Sequence, residues 1–372
     1  MRFFQFLLIL IYIFFIVYNY RGYIRKSSTL IMTILTVSLA TFLLCASNTA
    51  NYDLSETGLD ISGYRYIYEE IDVLDHEDFN MYYIFYSCMS LGQRIGLPFR
   101  AWWAIMSVLA MSVVICACKI HHYNLSLFLA TFMAYYEFVF YSGFKFFYGF
   151  CFLLLSYGFL LRNNRVGQIL FAVFTCVAGG FHMMYYFFLI LLIKPLKHSK
   201  YFVSIVVIAT VLLTVLMRLS NSAVSFLTPF FNALDNDHIN KYTNVTVRSG
   251  FYIAVLIHML VLYMVIKIKR FYALGRIHSI PVDALFYTVL LSLLFCPFYA
   301  VSLTFMRLIT AFSLVVISAG SSVLDESFNS RNLCAKFSLL IVAIFILIRI
   351  VTGLGSSRGF FEASVVPFFD VF

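Results

Sequence analysis

The residues of this 372-residue chain best suited to chemistry are basic groups set inside or beside strongly apolar runs. Lys145 lies in Tyr141-Ser-Gly-Phe-Lys-Phe-Phe-Tyr148, His182 follows Ala178-Gly-Gly-Phe181, and Arg307 lies in Leu303-Thr-Phe-Met-Arg-Leu-Ile309. Arg218 closes one apolar run and Arg248 precedes the next. A cation at the centre of a membrane span costs roughly 2.5–3.5 kcal/mol on insertion scales, so such residues face a cavity or a partner. Cations gathered in a partly hydrated recess attract an anionic headgroup, and a lipid-linked diphosphate suits that chemistry. A histidine, with an ordinary pKa of about 6.5, can orient or deprotonate a hydroxyl or donate a hydrogen bond to phosphate. Each residue also has a plainer explanation. Arg218, Arg248 and Lys145 can snorkel to the interface, Arg307 can belong to a structural ion pair, and His182 can be a hydrogen-bonded core residue. Their placement at one depth favours a shared site.

Carboxylates supply a second set. The stretch 47–80 holds nine of the seventeen acidic residues (Asp53, Glu56, Asp60, Glu69, Glu70, Asp72, Asp75, Glu77 and Asp78), opposed by Arg65. Within it, Asp60-Ile-Ser-Gly-Tyr64 and His76-Glu-Asp-Phe-Asn-Met-Tyr-Tyr83 mix carboxylates with aromatics, as sugar-binding surfaces do; a solvated acidic surface is the simpler alternative. Asp60 or Glu77 could serve as a general base towards a sugar hydroxyl. Glu137, in Tyr135-Tyr-Glu-Phe-Val139, needs a partner inside its span, and Lys145 is a candidate. The soluble-enzyme motifs GxSxG, P-loop, HExxH and the dinucleotide fingerprint do not occur, and the carboxylates are too dispersed for a metal site. A reaction without metal or cofactor is therefore the expectation. The eight cysteines (45, 88, 116, 118, 151, 176, 296 and 334) form no CxxC pair and read as small buried hydrophobes.

The elements that must position these residues are membrane helices. The chain is 62% hydrophobic and 12% charged, against roughly 45–50% and about 25% in soluble domains, which excludes a water-soluble globule and a disordered chain. The net charge of +9 comes in short clusters between apolar runs, so it speaks for membrane topology and against nucleic acid as a partner. Crossing a hydrocarbon core of about 30 Å takes about 20 apolar residues. Candidate spans are 3–19, 28–46, 101–119, 123–141, 146–161, 166–193, 201–219, 250–268, 283–301, 303–320 and 336–353. The first, lacking a small-residue cleavage site, is expected to be retained. The predicted fold is an all-α, polytopic transmembrane bundle of about 10–12 spans, one integral membrane domain over 1–372 with an acidic outer loop at 47–80. Trp102 and Trp103 near a span end suggest an interfacial aromatic belt.

Sidedness follows from lysine and arginine. Clusters at Arg21/Arg25/Lys26, Lys119, Arg162/Arg165, Lys194/Lys197/Lys200, Lys267/Lys269/Arg270/Arg276 and Arg331/Lys336 assign those loops to the cytoplasm. The N-terminus and the segments 47–80, 142–148, 220–249 and 354–372 then fall outside. The run 166–193 has basic residues at both ends, so a single crossing violates the charge rule. A broken helix pair resolves the conflict, turning at Gly179-Gly180 with Phe181-His182 at the tip near the outer face.

Taken in order, Asp60…Tyr64, Glu77 before an aromatic stretch, Phe144-Lys145-Phe146…Gly149, Ala178-Gly-Gly-Phe-His182 and Arg307 resemble the EpsG family of Wzy-type bacterial polysaccharide polymerases. The resemblance spans roughly 1–320. It implies a membrane glycosyltransferase in the bacterial cytoplasmic (inner) membrane, active on the extracytoplasmic side. Its substrate would be an undecaprenyl-diphosphate-linked oligosaccharide, polymerised into capsule, exopolysaccharide or O-antigen, with a flippase and a chain-length regulator as implied partners. Lys145, His182 and Arg307 would be catalytic, and Asp60, Tyr64, Glu77, Arg218 and Arg248 would contact substrate. The chain departs from the family pattern at Lys145-Phe146, where Arg-Gln is typical, and at Met184, where a small polar residue is usual. Lysine keeps the charge but loses the bidentate fork. A lipid-linked glycan flippase or other transporter, an O-antigen ligase and a membrane acyltransferase are the competing classes; the sidedness of His182 separates the last of these.

Overall fold

The computed structural model describes residues 60–71, 82–120, 144–160, 164–193, 201–219, 250–273 and 282–300, with single positions between 31 and 41, at 125 and 129, and between 308 and 316. Every regular element among the described residues is helical. In chain order they are α1 (Asp60–Glu69), α2 (Tyr83–Arg94), α3 (Phe99–Ile120), α4 (Phe144–Leu160), α5 (Arg165–Phe181), a 3₁₀ run (Met183–Leu192), α6 (Phe202–Leu219), α7 (Gly250–Ala273), α8 (Val282–Ser292) and a second 3₁₀ run (Leu293–Ala300). The expected spans at 3–19 and 336–353, and most of 28–46, 123–141 and 303–320, lie outside the described residues. Of the described helices, α3, at 22 residues, is long and apolar enough to cross a bilayer by itself. Shorter apolar helices cover Lys145–Leu160, Arg165–Phe181, Met183–Leu192, Phe202–Val215 and Asp283–Tyr299.

The chain divides into two compact units, Met1–Tyr186 with Ile317–Phe372, and Phe187–Val316. The first is organised by an α4–α5 hairpin. Asn164 caps α5, its side-chain oxygen accepting from the Gly167 amide at 2.6 Å, which stabilises a helix start by about 1 kcal/mol. Aromatic rings close the hairpin: Phe152 stacks on Phe181 at 5.5 Å, Phe159 on Phe174 at 5.3 Å, and Tyr157 meets Phe171 edge-on. Lower in the same seam the Thr175 hydroxyl donates to Ser156, and Ser156 donates to the Leu153 carbonyl. Each helix has 17 residues, about 25 Å of rise, so the start of α4 and the end of α5 lie at one end of the hairpin.

α1 and α2 cover that end. The acidic stretch, expected as a loop, contains α1, a helix that buries Tyr64 and Tyr68 one turn apart, with Ile71 buried just past its end. Tyr68 donates to the Leu97 carbonyl at 2.8 Å, and burial pushes its phenol pKa up, keeping it a neutral donor. α2 ends in a Schellman turn: the Leu97 amide donates to Gly92 O and the Gly96 amide to Gln93 O. Gly96 takes φ +74, which a side chain would strain, and Pro98 follows to start α3.

Two expectations are corrected here. Trp102 and Trp103 are not an interfacial belt: they are 3% and 0% exposed, and the Trp102 indole donates to the Cys88 carbonyl at 2.9 Å. They pack with Phe99, Phe85 and Tyr68 because α1 and α2 fold over the start of α3 and make it interior. Cys118, Cys151 and Cys296 are buried thiols as expected, whereas Cys116 is exposed and Cys88 and Cys176 are half-buried. Helical geometry sends Cys116 and Cys118 to different sides of α3.

In the second unit, α7 packs on α8 and α6 on the 3₁₀ run that follows α8. The expected single span 283–301 is broken after Ser292, since Pro297 cannot supply the amide that α-helical continuation requires. His258 pins this break from α7. Its Nδ1 lies 3.0 Å from Tyr299 Oη and 3.2 Å from Cys296 Sγ, and its Nε2 lies 3.0 Å from Ser292 Oγ. His258 is fully buried, so this network meets the polar demand of a ring sealed from water. On the surface of the same helix pair, Lys269 bonds Asp283 at 3.0 Å.

Candidate active site at the open end of the α4–α5 hairpin

Lys145 is the second residue of α4, so the hairpin brings it to the level at which α5 ends. Its ammonium donates to the Tyr86 hydroxyl at 3.1 Å. It also lies 4.1 Å from the centre of the Tyr82 ring, 5.1 Å from Tyr86, 5.2 Å from Tyr64 and 5.8 Å from Phe85. Each such cation–π contact is worth about 0.5–2 kcal/mol depending on desolvation. These contacts set the ammonium against four aromatic rings. The first turn of α4 carries no acidic residue, so the positive end of the helix dipole adds to the lysine field.

His182 ends α5. Its amide donates to Ala178 O and closes the helix; its own backbone is extended at φ −153, ψ 113; its carbonyl accepts from Tyr185 and opens the 3₁₀ run. The ring is buried, with centroids 5.6 Å from Tyr82, 5.5 Å from Phe146 and 6.1 Å from Tyr185. Lys145 and His182 therefore contact one common ring, that of Tyr82.

The glycines before His182 have a different job from the one expected of them. The chain changes direction at His182, while Gly179 and Gly180 remain inside α5 and buried. A Cβ on Gly179 would run into the Tyr186 ring, and one on Gly180 would lie 2.6 Å from the Ile84 side chain. Gly149 likewise lets the Tyr185 ring cross α4, where the Tyr185 hydroxyl donates to the Phe146 carbonyl at 2.6 Å. This bond ties the 3₁₀ run to the turn of α4 that carries Lys145. The missing side chains allow close approach of α2, α4 and the 3₁₀ run around His182.

The remaining sequence candidates are placed as follows. Tyr64 is buried, edge-on to Phe85 at 5.4 Å and facing Lys145, so it is a wall of the lysine cage and not an open stacking surface. Asp60 opens α1, on the same short helix. Arg218 lies in the last turn of α6, in the second unit. Glu77, Glu137, Arg248 and Arg307 lie outside the described residues. Tyr82 and Tyr86 are the contributors that the sequence did not single out by role. Their i, i+4 spacing, in register with Phe85 and Met89, was the available signal. Among the described residues no three His, Cys, Asp or Glu side chains come together in a metal-binding group.

The described residues, all helical in their regular elements and part of a strongly apolar chain, define a class of site: a caged lysine and a buried histidine at one end of a helical hairpin, basic and walled by aromatic rings. The comparison with known families is more particular. The EpsG family matches residues 49–364, most of the chain, and the protein belongs to that family, which is associated with polysaccharide-polymerase, glycosyltransferase-like activity. No curated protein and no solved structure matches it.

Proposed function

We propose that the protein is a multi-pass polymerase of the bacterial cytoplasmic membrane. It joins undecaprenyl-diphosphate-linked oligosaccharide repeat units at the extracytoplasmic face into capsule, exopolysaccharide or O-antigen. Membership of the EpsG family supports the reaction class. The observation that carries the assignment of residues is the meeting of Lys145 and His182 on Tyr82.

In the proposed reaction a hydroxyl oxygen of the incoming unit bonds to the anomeric carbon of the growing chain, and the bond from that carbon to the diphosphate oxygen breaks. The electron pair leaves with the lipid diphosphate. Lys145, preorganised by its aromatic walls, stabilises the negative charge that develops there. His182 orients the acceptor hydroxyl and takes its proton. Arg307 is proposed from the sequence alone as a further cation for the same anion. Asp60, Glu77, Arg218 and Arg248 are proposed substrate contacts on the same basis, and a flippase and chain-length regulator are the proposed cellular partners. Tyr64 acts through Lys145.

The test is polymer made by cells whose own copy is replaced. His182→Ala, Lys145→Met and Arg307→Ala should each abolish long-chain product with normal protein abundance in the membrane. Normal chain length from the His182 and Lys145 variants would refute the assignment, and a wild-type enzyme that transfers finished chains to a different acceptor would make it a ligase.

A further inference from the structure

We infer that Tyr185 is a positioning residue of the site: the bond from its hydroxyl to the Phe146 carbonyl sets where the His182 ring stands relative to the Lys145 ammonium, an inference resting on the proposed roles of those two side chains. Tyr185 is the third residue of the 3₁₀ run that leaves His182, and its amide donates to the His182 carbonyl at 3.0 Å. Its phenol crosses to α4 and donates at 2.6 Å to the carbonyl of Phe146, the residue after Lys145. His182, Tyr185, Phe146 and Lys145 are thus joined in series by peptide bonds and hydrogen bonds. Contacts between ring faces tolerate sideways shifts, whereas a hydrogen bond weakens steeply as its angle closes. The Tyr185 bond therefore fixes a spacing that the shared Tyr82 ring alone leaves soft.

The surroundings are shaped for this crossing. Tyr185 is fully buried, and a Cβ on Gly149 would lie 2.4 Å from its ring, so the bare backbone at 149 opens the path by which the phenol reaches the Phe146 carbonyl. The Tyr185 ring lies 5.3 Å from Phe146 and 6.1 Å from His182, while Phe146 meets His182 edge-on at 5.5 Å. A phenylalanine at 185 would keep all of this ring packing. What the hydroxyl adds is a donor to the Phe146 carbonyl, since a carbonyl oxygen has a second lone pair beyond the one used in its helix. A shift of about 1 Å between reacting groups costs roughly a hundredfold in rate, so one bond that holds their spacing counts for more in turnover than in stability.

The experiment uses the purified full-length chain in proteoliposomes with lipid-diphosphate-linked repeat unit extracted from the producing cells, reading initial rate against substrate concentration and melting temperature. Tyr185→Phe should lower kcat about tenfold and leave KM within about twofold, the pattern of an interaction used in the transition state and not in binding. The control is Tyr157→Phe, which removes a buried hydroxyl about three turns along the same helix, where the ring meets Phe171, and should leave both parameters unchanged. Replacing Tyr185 by 4-aminophenylalanine, whose N–H still donates, should restore most of kcat. An unchanged kcat in Tyr185→Phe, an equal loss in Tyr157→Phe, a defect confined to KM, or no recovery with the amino group would each overturn the positioning role. A Tyr185→Phe chain that failed to accumulate would show that the bond holds the fold, and would overturn it too. Normal turnover in His182→Ala would instead remove the underlying reading of the site, whatever Tyr185→Phe does.

Discussion

Lys145 and His182 belong to different helices, α4 and α5, and are joined through one ring: Tyr82 lies 4.1 Å from the Lys145 ammonium and 5.6 Å from the His182 imidazole, measured to ring centres. An ammonium at the face of a ring and an imidazole beside the same ring thereby share one aromatic wall. That arrangement suits a reaction in which one group stabilises a leaving anion while the other handles an acceptor proton.

Tyr82 is therefore the residue whose chemistry can be divided most cleanly. Tyr82→Phe keeps the ring and should retain most polymerisation. Tyr82→Ala removes a support from both Lys145 and His182 and should lower initial rate at least tenfold with little change in protein abundance. Rates on a lipid-linked repeat unit in membranes measure this, and equal rates for Phe and Ala variants would show that the ring does not position the pair.

Gly149 should be intolerant of any side chain. A methyl group there meets the Tyr185 ring and lies 2.8 Å from the Ala178 carbonyl, a contact that backbone cannot easily relieve. Gly149→Ala should destabilise the protein by about 1–3 kcal/mol through overpacking. Gly63, with open space around it, should accept alanine with no loss. Thermal unfolding in detergent compares the two.

His258 gives a prediction separate from activity. His258→Leu fills a similar space but leaves Ser292 and Tyr299 without their imidazole contacts in the buried core. The expected cost is about 1–3 kcal/mol for a stranded buried polar group. Ser292→Ala should cost less, since His258 Nε2 also lies 3.4 Å from the Val289 carbonyl and keeps a partner there. Melting temperatures of the purified chain would rank them.

Some of this was legible in the sequence and some was not, for identifiable reasons. Apolar runs bounded by basic residues outlined α3, α4, α6 and α7, because hydropathy and charge are properties of single residues and add along the chain. The role of the glycines in 166–193 was not legible: Gly179-Gly180 reads as a turn, yet the helix ends at His182 and the glycines make room for Ile84 and Tyr186. A missing side chain records either freedom or crowding, and sequence alone does not say which. Trp102 and Trp103 misled for a related reason, since covering helices α1 and α2 decide whether a span-end tryptophan faces lipid or core. The cage around Lys145 draws on α1, α2 and α4, and the His258 network on α7, α8 and the following 3₁₀ run, so both are contacts between distant segments that no local pattern announces.

The proposed extracytoplasmic placement of the site is tested at the same end of the hairpin. A cysteine introduced at Met183, beside His182, should react with a membrane-impermeant maleimide added outside intact spheroplasts, and an added lipid diphosphate should slow the reaction. Labelling that requires opening the membrane would place this end of the hairpin in the cytoplasm.

The most direct measurement of the central claim uses purified protein in proteoliposomes with a lipid-diphosphate-linked repeat unit as sole substrate, reading both polymer ladder and released lipid diphosphate. The wild-type chain should give a ladder with one lipid diphosphate released per linkage. Lys145→Met and His182→Ala should give neither. A ladder of normal length and rate from both variants would contradict the account.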